Sequence, residues 1–95
     1  MEIKLEKYGP IISDKAIGDE IYSKISDALA KEEPVEIDFT GIKSMATFCA
    51  KQIFGRIYLE LTPKVFFEKL ILKNALEDVK LIIKIGIQNA IEEQA

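Results

Sequence analysis

Residues 35–61 read VEIDFTGIKSMATFCAKQIFGRIYLEL, and this stretch decides the fold. Its first five residues alternate apolar and acidic side chains, which is typical of a β-strand with one buried face. Thr40 and Gly41 then favour a turn. From Thr47 onward apolar residues recur at helical spacing, at Ala50, Ile53, Phe54, Ile57, Tyr58 and Leu61. The stretch therefore predicts a buried strand, a polar loop and an amphipathic helix.

The residues on both sides continue this alternation of strands and helices. Residues 2–7 alternate apolar and charged side chains and predict a first strand, which Gly9-Pro10 ends. Residues 17–29 carry an apolar stripe at helical spacing and predict a first helix. The second helix ends at Thr62-Pro63, and residues 69–72 form a short apolar run that suits a strand covered on both sides.

Residues 79–87 fit two periods, since their apolar residues alternate as in a strand but also form a helical stripe. The length of the segment and its polar ending, QNAIEEQA, favour a last helix, with Asn74 and Glu77 resembling a capping signal. On that helix Leu81 and Ile85 point away from the core. Such a pair indicates either burial on all sides or an interface.

The resulting order, β-α-β-α-β-α, predicts an α/β domain. We expect a mostly parallel sheet of four strands or fewer, with three helices packed against it. The chain has 95 residues, of which 48% are hydrophobic, and this suffices for one compact core. We therefore expect residues 1–95 to form a single domain.

The composition removes most catalytic chemistry. The sequence contains no histidine, which is the commonest general base and the commonest metal ligand, and Cys49 is its only cysteine. Lys, Glu or Tyr catalysis is formally open, but we expect a protein that is not an enzyme and has no cofactor. The pairs Glu32-Glu33 and Glu92-Glu93 resemble solvated helix ends rather than metal ligands.

Charge and hydropathy indicate the partners and the compartment. The net charge of -3 repels polyanions, so we expect no binding of nucleic acid. No apolar run reaches the ~18 residues of a membrane span. A lone cysteine suits a reducing environment, and we expect a cytoplasmic protein that is not bound to a membrane.

Two segments together resemble a known family. VEIDFTGIKSMATFCAKQIFGRIYLEL and FFEKLILKNALEDVKLIIKIGIQNA are similar to the STAS-like domains of unknown function found in bacteria and archaea. The resemblance covers most of residues 13–91 and implies the strand, loop and helix order given above. STAS domains proper occur in sulphate transporters and in anti-sigma factor antagonists.

The resemblance implies a phosphoacceptor at Thr47. In anti-sigma factor antagonists the loop before the second helix carries an Asp-Ser-[Ser/Thr]-Gly motif, whose first Ser is phosphorylated by a partner kinase. The matching stretch here is Ala46-Thr47-Phe48-Cys49, so Ala46 replaces the Asp and Cys49 replaces the Gly. A threonine before a helical stripe also has an ordinary explanation as an N-cap, and both interpretations are open.

The side of the second helix opposite its core stripe is a candidate partner-binding surface. That side carries Phe48, Gln52, Gly55 and Leu59. A Gly within a helix lowers stability by about 1 kcal/mol relative to Ala, so Gly55 suggests a close contact that offsets this loss. Covering of this side by a loop or by the first helix is equally open. The preceding loop adds further candidates for partner binding at Thr40, Gly41, Lys43 and Ser44.

Asp38 has two interpretations at the carboxyl end of the central strand. Open α/β sheets bind ligands there, but Asp38 also suits a turn with Thr40-Gly41, which we favour. We expect a protein-binding regulatory module resembling an anti-sigma factor antagonist, with an ATP-binding kinase-like anti-sigma type protein as partner. The alternatives are a structural or homo-oligomeric domain, such as a homodimer, and a domain that binds a small ligand or nucleotide.

Overall fold

The computed structural model describes residues 1–31 and 34–94, so the prediction for Glu32-Glu33 lies outside the described residues. The strands are β1 (Glu2–Lys4), β2 (Ile11–Ile12), β3 (Val35–Asp38), β4 (Ser44–Met45) and β5 (Leu70–Lys73). The helices are α1 (Lys15–Lys31), α2 (Thr47–Ala50, a π-helical segment Lys51–Gly55, and Arg56–Glu60), α3 (Pro63–Lys69) and α4 (Glu77–Gln94). A 3-10 turn covers Glu6–Tyr8.

The main sheet is parallel and has the order β1-β3-β5. Ile3 of β1 pairs with Ile37 of β3, which in turn pairs with Leu72 of β5. α1 connects β1 to β3, and α2 and α3 connect β3 to β5, as parallel neighbours require. The prediction of an α/β domain with a small, parallel sheet is confirmed.

The described residues cover only one face of this sheet, so the prediction that residues 69–72 are covered on both sides is wrong. Ile71 is 41% exposed on the outer face. On the same face the ammonium group of Lys73 lies 3.0 Å from the carboxylates of both Glu2 and Glu36. These two carboxylates raise the pKa of Lys73 above its usual value. Ion pairs across three strands therefore replace a second layer of helices.

A second, two-stranded parallel ladder pairs Ile11 with Ser44 and Ile12 with Met45. This ladder is not predictable from the sequence pattern, because strands of two residues are too short to show a period. The ladder fixes the loop that precedes α2 against the segment that precedes α1.

α3 is a fourth helix where three were predicted. Thr62 and Pro63 do end α2, as expected, but the same two residues begin the next helix. The hydroxyl of Thr62 accepts a hydrogen bond from the backbone N–H of Val65 at 3.3 Å, and Pro63 occupies the first helical turn. Thr at the N-cap followed by Pro is a typical helix start, so one dipeptide serves both functions.

The last segment is the helix α4, which confirms the helical interpretation of residues 79–87. The helix buries Val79, Ile83, Gly86 and Ala90. Leu81 and Ile85 lie on its outer side and are 56% and 41% exposed, so they are not buried on all sides. No helix in residues 1–31 and 34–94 is long and apolar enough to cross a membrane.

α2 and α4 pack closely through small residues. A Cβ atom added to Gly86 would lie 2.6 Å from the backbone nitrogen of Lys51 and 2.8 Å from the Cβ of Ala50. A Cβ added to Gly55 would lie 2.8 Å from the Cβ of Ala90. Because such distances are far below van der Waals contact, only glycine fits at both positions while the helices keep this separation.

We predict that Gly86→Ala destabilises the protein. Ala would favour the helix by about 1 kcal/mol, but the clash with the backbone of α2 should cost about 1–3 kcal/mol more than that gain. Denaturant unfolding followed by circular dichroism measures the difference. The control Lys84→Ala, at an exposed position of the same helix, should change stability by less than about 0.5 kcal/mol. A Gly86→Ala variant as stable as this control would contradict the packing described here.

Candidate functional site

Asp38 lies at the carboxyl end of β3, and local donors bind its carboxylate. Its Oδ1 accepts hydrogen bonds from the Thr40 backbone N–H at 2.9 Å, the Thr40 hydroxyl at 2.7 Å and the Asn74 side-chain amide at 3.0 Å. These bonds, the one from Asn74 foremost, lower the pKa of Asp38 to about 2. The geometry favours the turn interpretation of Asp38, with Asn74 joining the end of β5 to the end of β3.

The loop between β3 and α2 is exposed but held in place by its backbone. Gly41 has a φ of 85°, a backbone conformation that is strained for residues with a side chain. This conformation agrees with the turn predicted at Thr40-Gly41. The backbone N–H of Lys43 donates to the carbonyl of Pro10 at 2.8 Å. Thr40, Gly41 and Lys43 are exposed and Ser44 is half-buried. These four candidate residues thus form a fixed polar surface.

Thr47 is the first residue of α2 and not its N-cap. The N-cap is Ala46, which has an extended conformation and no side chain able to accept a hydrogen bond. The N-cap interpretation of Thr47 is therefore wrong. Thr47 is exposed, and its hydroxyl has no hydrogen-bond partner among the described residues. The hydroxyl of Thr47 therefore does not cap the helix.

The side of α2 opposite its core stripe is covered in the middle and open at both ends. Gly55 is buried beneath α4, so the expectation that it faces a partner is wrong. The absence of a side chain at Gly55 instead allows α4 to pack closely against α2. The side-chain amide of Gln52 donates to the Lys15 carbonyl at 2.9 Å and to the Asp19 carboxylate at 2.6 Å. Phe48 and Leu59 stay 53% and 41% exposed.

These two exposed residues lie in one groove of about 460 Å³, here called the α2 groove. It runs along α2 between the start of α1 and the end of α4. Its lining residues are Lys15, Phe48, Lys51, Gln52, Arg56, Leu59, Ala90, Glu93 and Gln94. A second hollow shares Phe48, Lys51 and Glu93 with the groove and is also lined by Thr47. Thr47 therefore lies beside the groove.

The charged residues of the α2 groove are mainly cationic. Lys51 forms an ion pair with Glu93 that joins α2 to α4. The guanidinium of Arg56 lies 4.1 Å from the ring centre of Tyr22, and its Nε lies 3.8 Å from a carboxylate oxygen of Glu60. The Lys15 ammonium has no carboxylate partner within the described part of the chain.

The sequence pattern predicts the apolar residues of this groove but not its charged residues. Phe48, Gln52 and Leu59 follow from the helical period of α2 alone. Lys15 and Glu93 come from other helices, and only the fold brings them to α2. Lys51 and Arg56 carried a usable signal, because each lies one residue from a member of the predicted face.

Cys49 and the acidic residues provide no further site. Cys49 is buried, as expected of a small apolar residue, and burial raises the pKa of its thiol. In residues 1–31 and 34–94, no group of three or more His, Cys, Asp or Glu side chains is arranged to hold a metal ion.

The geometry is that of a small α/β domain in which one exposed loop leads from the central strand of a parallel sheet into a long, partly open helix. Residues 18–80 match the family described as a STAS-like domain of unknown function, which is more than half of the chain. The chain therefore belongs to this family, as the two segments quoted above predict. Neither the comparison with curated proteins nor the comparison with solved structures finds a match.

We predict that Asp38 makes stability depend on pH in the acid range. Its pKa is about 2 in the folded protein, against about 3.9 in an unfolded chain, so the unfolded state binds more protons between these values. This stabilisation is complete above about pH 4 and is lost as the pH falls through about 2. Urea unfolding at several pH values measures the slope.

Asp38→Asn keeps an acceptor oxygen but removes the titrating group, so its stability should fall less steeply over this range. The control Asp27→Asn alters an exposed carboxylate of α1 and should keep the wild-type slope. Equal slopes in the wild type and in Asp38→Asn would contradict the prediction.

Proposed function

We propose that this chain is a protein-binding regulatory module that docks a partner through the loop of residues 40–47 and the α2 groove. The observation that carries the proposal is the exposure of Phe48 and Leu59 at opposite ends of one groove. Large apolar side chains exposed together in a groove gain free energy when a partner covers them. The family match supports a domain of this architecture but names no activity.

The proposed role is regulatory and does not require catalysis. The sequence has no histidine, and the buried thiol of Cys49 is a poor nucleophile because its pKa is raised. We propose that the protein is not an enzyme and acts in the cytoplasm, where a free thiol stays reduced.

Thr47 is the proposed phosphoacceptor of this module. Thr47 is exposed, and its hydroxyl has no hydrogen-bond partner among the described residues. The hydroxyl does not cap the helix, because the N-cap residue is Ala46. A phosphate there would carry a charge of about -2 at the amino end of α2, where the first backbone N–H groups lack helical partners. Lys51 lines the same hollow. The proposed modifying partner is an ATP-binding kinase-like protein of the anti-sigma type.

The proposal predicts a specific contact at position 48. Phe48 is replaced by the photoreactive p-benzoyl-phenylalanine, the chain is expressed in its native cell, and cross-linked products are identified by mass spectrometry. We expect one dominant protein adduct from position 48. Phe67 is 71% exposed on α3 and outside the groove, so the same replacement there is a matched control that should give no such adduct. Equal adducts from both positions would contradict docking at the groove.

The phosphoacceptor is tested with the partner recovered in this way. Incubation with ATP should add one phosphate, which is mapped to Thr47 and is absent from Thr47→Val. Thr40→Val should be phosphorylated normally, because Thr40 is engaged with Asp38. A phosphate on any other residue would exclude Thr47 from the proposed switch.

Homo-oligomerisation is a second candidate function, favoured by the exposed pair Leu81 and Ile85 on the outer side of α4. Two apolar residues one helical turn apart suit a contact between copies of α4. Size exclusion with light scattering should then give a dimer mass that Leu81→Glu reduces to the monomer mass. A monomer at high wild-type concentration would contradict this candidate.

A further inference from the structure

The α2 groove follows α2 over about the length of a short helix. Phe48 and Leu59 are eleven residues apart on α2, which places them about 16 Å apart along the helix axis. The end of α4 forms one wall of the groove and the start of α1 the other. A helix of about three turns spans this length, and helices bind grooves through apolar residues at i, i+3 or i+4, and i+7.

The charge of the groove opposes that of the protein. Lys15, Lys51 and Arg56 line it together with a single carboxylate, Glu93, although the whole chain has a net charge of -3. Lys15 has no carboxylate partner among the described residues. A ligand that carries carboxylates beside its apolar residues would therefore complement both properties of the groove.

From this charge and shape we propose that the occupant of the α2 groove is an acidic amphipathic helix of the partner protein. The inference rests on the proposed function and specifies the chemistry of the segment that docks. Apolar residues of the partner helix cover Phe48 and Leu59, and its flanking carboxylates approach Lys15 and Lys51.

A second copy of this chain fits the groove less well than an acidic helix does. The exposed apolar pair of α4, Leu81 and Ile85, is adjacent in sequence to Lys80 and Lys84. Lys80 is paired with Glu77, but the ammonium group of Lys84 would meet the cations of the groove. Because like charges at an interface oppose association, the outer side of α4 is a poor occupant.

Glu93 and Thr47, at the edge of the groove, could regulate binding of the partner helix. Glu93 holds Lys51 in an ion pair, so a carboxylate of the bound helix must compete with Glu93 for this cation. Thr47 lies in the adjoining hollow with the same two residues. A phosphate on Thr47 would add negative charge there and would repel an acidic helix. Phosphorylation is thus expected to release the partner.

The experiment selects helical peptides of about 14 residues from a display library on the immobilised full chain, and measures the best binders by fluorescence anisotropy. We expect enriched peptides to combine an apolar stripe with flanking Glu and Asp. Phe48→Ala should weaken their binding about tenfold or more, and Lys15→Glu should weaken it about three- to tenfold. Binding should also weaken as the salt concentration rises from about 0.05 M to about 0.5 M.

Matched controls separate these effects from misfolding. Phe67→Ala and Lys64→Glu make the same chemical changes at exposed residues outside the groove and should bind like the wild type. Glu93→Gln should bind about two- to fivefold more tightly, because Lys51 is released, and a damaged fold cannot produce such a gain. Thr47→Glu should bind more weakly than Thr47→Val.

Enrichment of basic or uncharged peptides, or binding that is indifferent to Phe48 and Lys15, would overturn the inference. A dimer that forms without peptide and that Phe48→Ala abolishes would overturn it in favour of a second copy. If position 48 cross-links a cellular protein but no acidic helix is selected, only this inference fails. If acidic helices bind the groove but no cellular protein is cross-linked there, the proposed function fails and the ligand chemistry stands.

Discussion

The close contact between α2 and α4 at Gly55, Gly86 and Ala90 is the constraint on which the rest of the structure depends. Because glycines and the small methyl groups of alanines lie at this contact, the two helices approach closely, and the approach fixes the buried side of α4. The end of α4 then lies alongside α2 and forms a wall of the α2 groove. The same close contact therefore helps to form the α2 groove.

The opposite flank of α2 is held by a different kind of contact. The side chain of Gln52 packs on Gly18 of α1 and donates hydrogen bonds to Lys15 and Asp19. Its Oε1 is buried without a partner among the described residues, which is a small cost within an otherwise well-bonded contact. With both flanks of its middle held, α2 can expose Phe48 and Leu59 at its ends without loosening.

The sequence predicted most helices and strands, but it predicted poorly which helices pack against each other. Gly55 shows the reason. The helical period places Gly55 opposite the core stripe, but the period describes one helix and cannot show which other helix covers that side. Thr47 shows that a sequence pattern does not fix the first residue of a helix. It was predicted to precede the helix as its N-cap, but the helix begins at Thr47 itself. Of the cations of the groove, Lys15 was missed because it is far from α2 in sequence. The alternation of strands and helices along the chain and the last helix followed from periodicity and length, which are local properties.

The outer face of the sheet and the α2 groove are two exposed surfaces that differ in what they can still bind. On the outer face of the sheet, Lys73 is paired with Glu2 and Glu36, and Asp38 with its turn, so a ligand there would have to replace bonds already made. The α2 groove instead presents exposed carbon of Phe48 and Leu59, whose burial is favourable by about 25 cal/mol per Å² of apolar surface. Because Lys15 of the groove also lacks a carboxylate partner among the described residues, we propose that docking occurs along α2 rather than on the sheet.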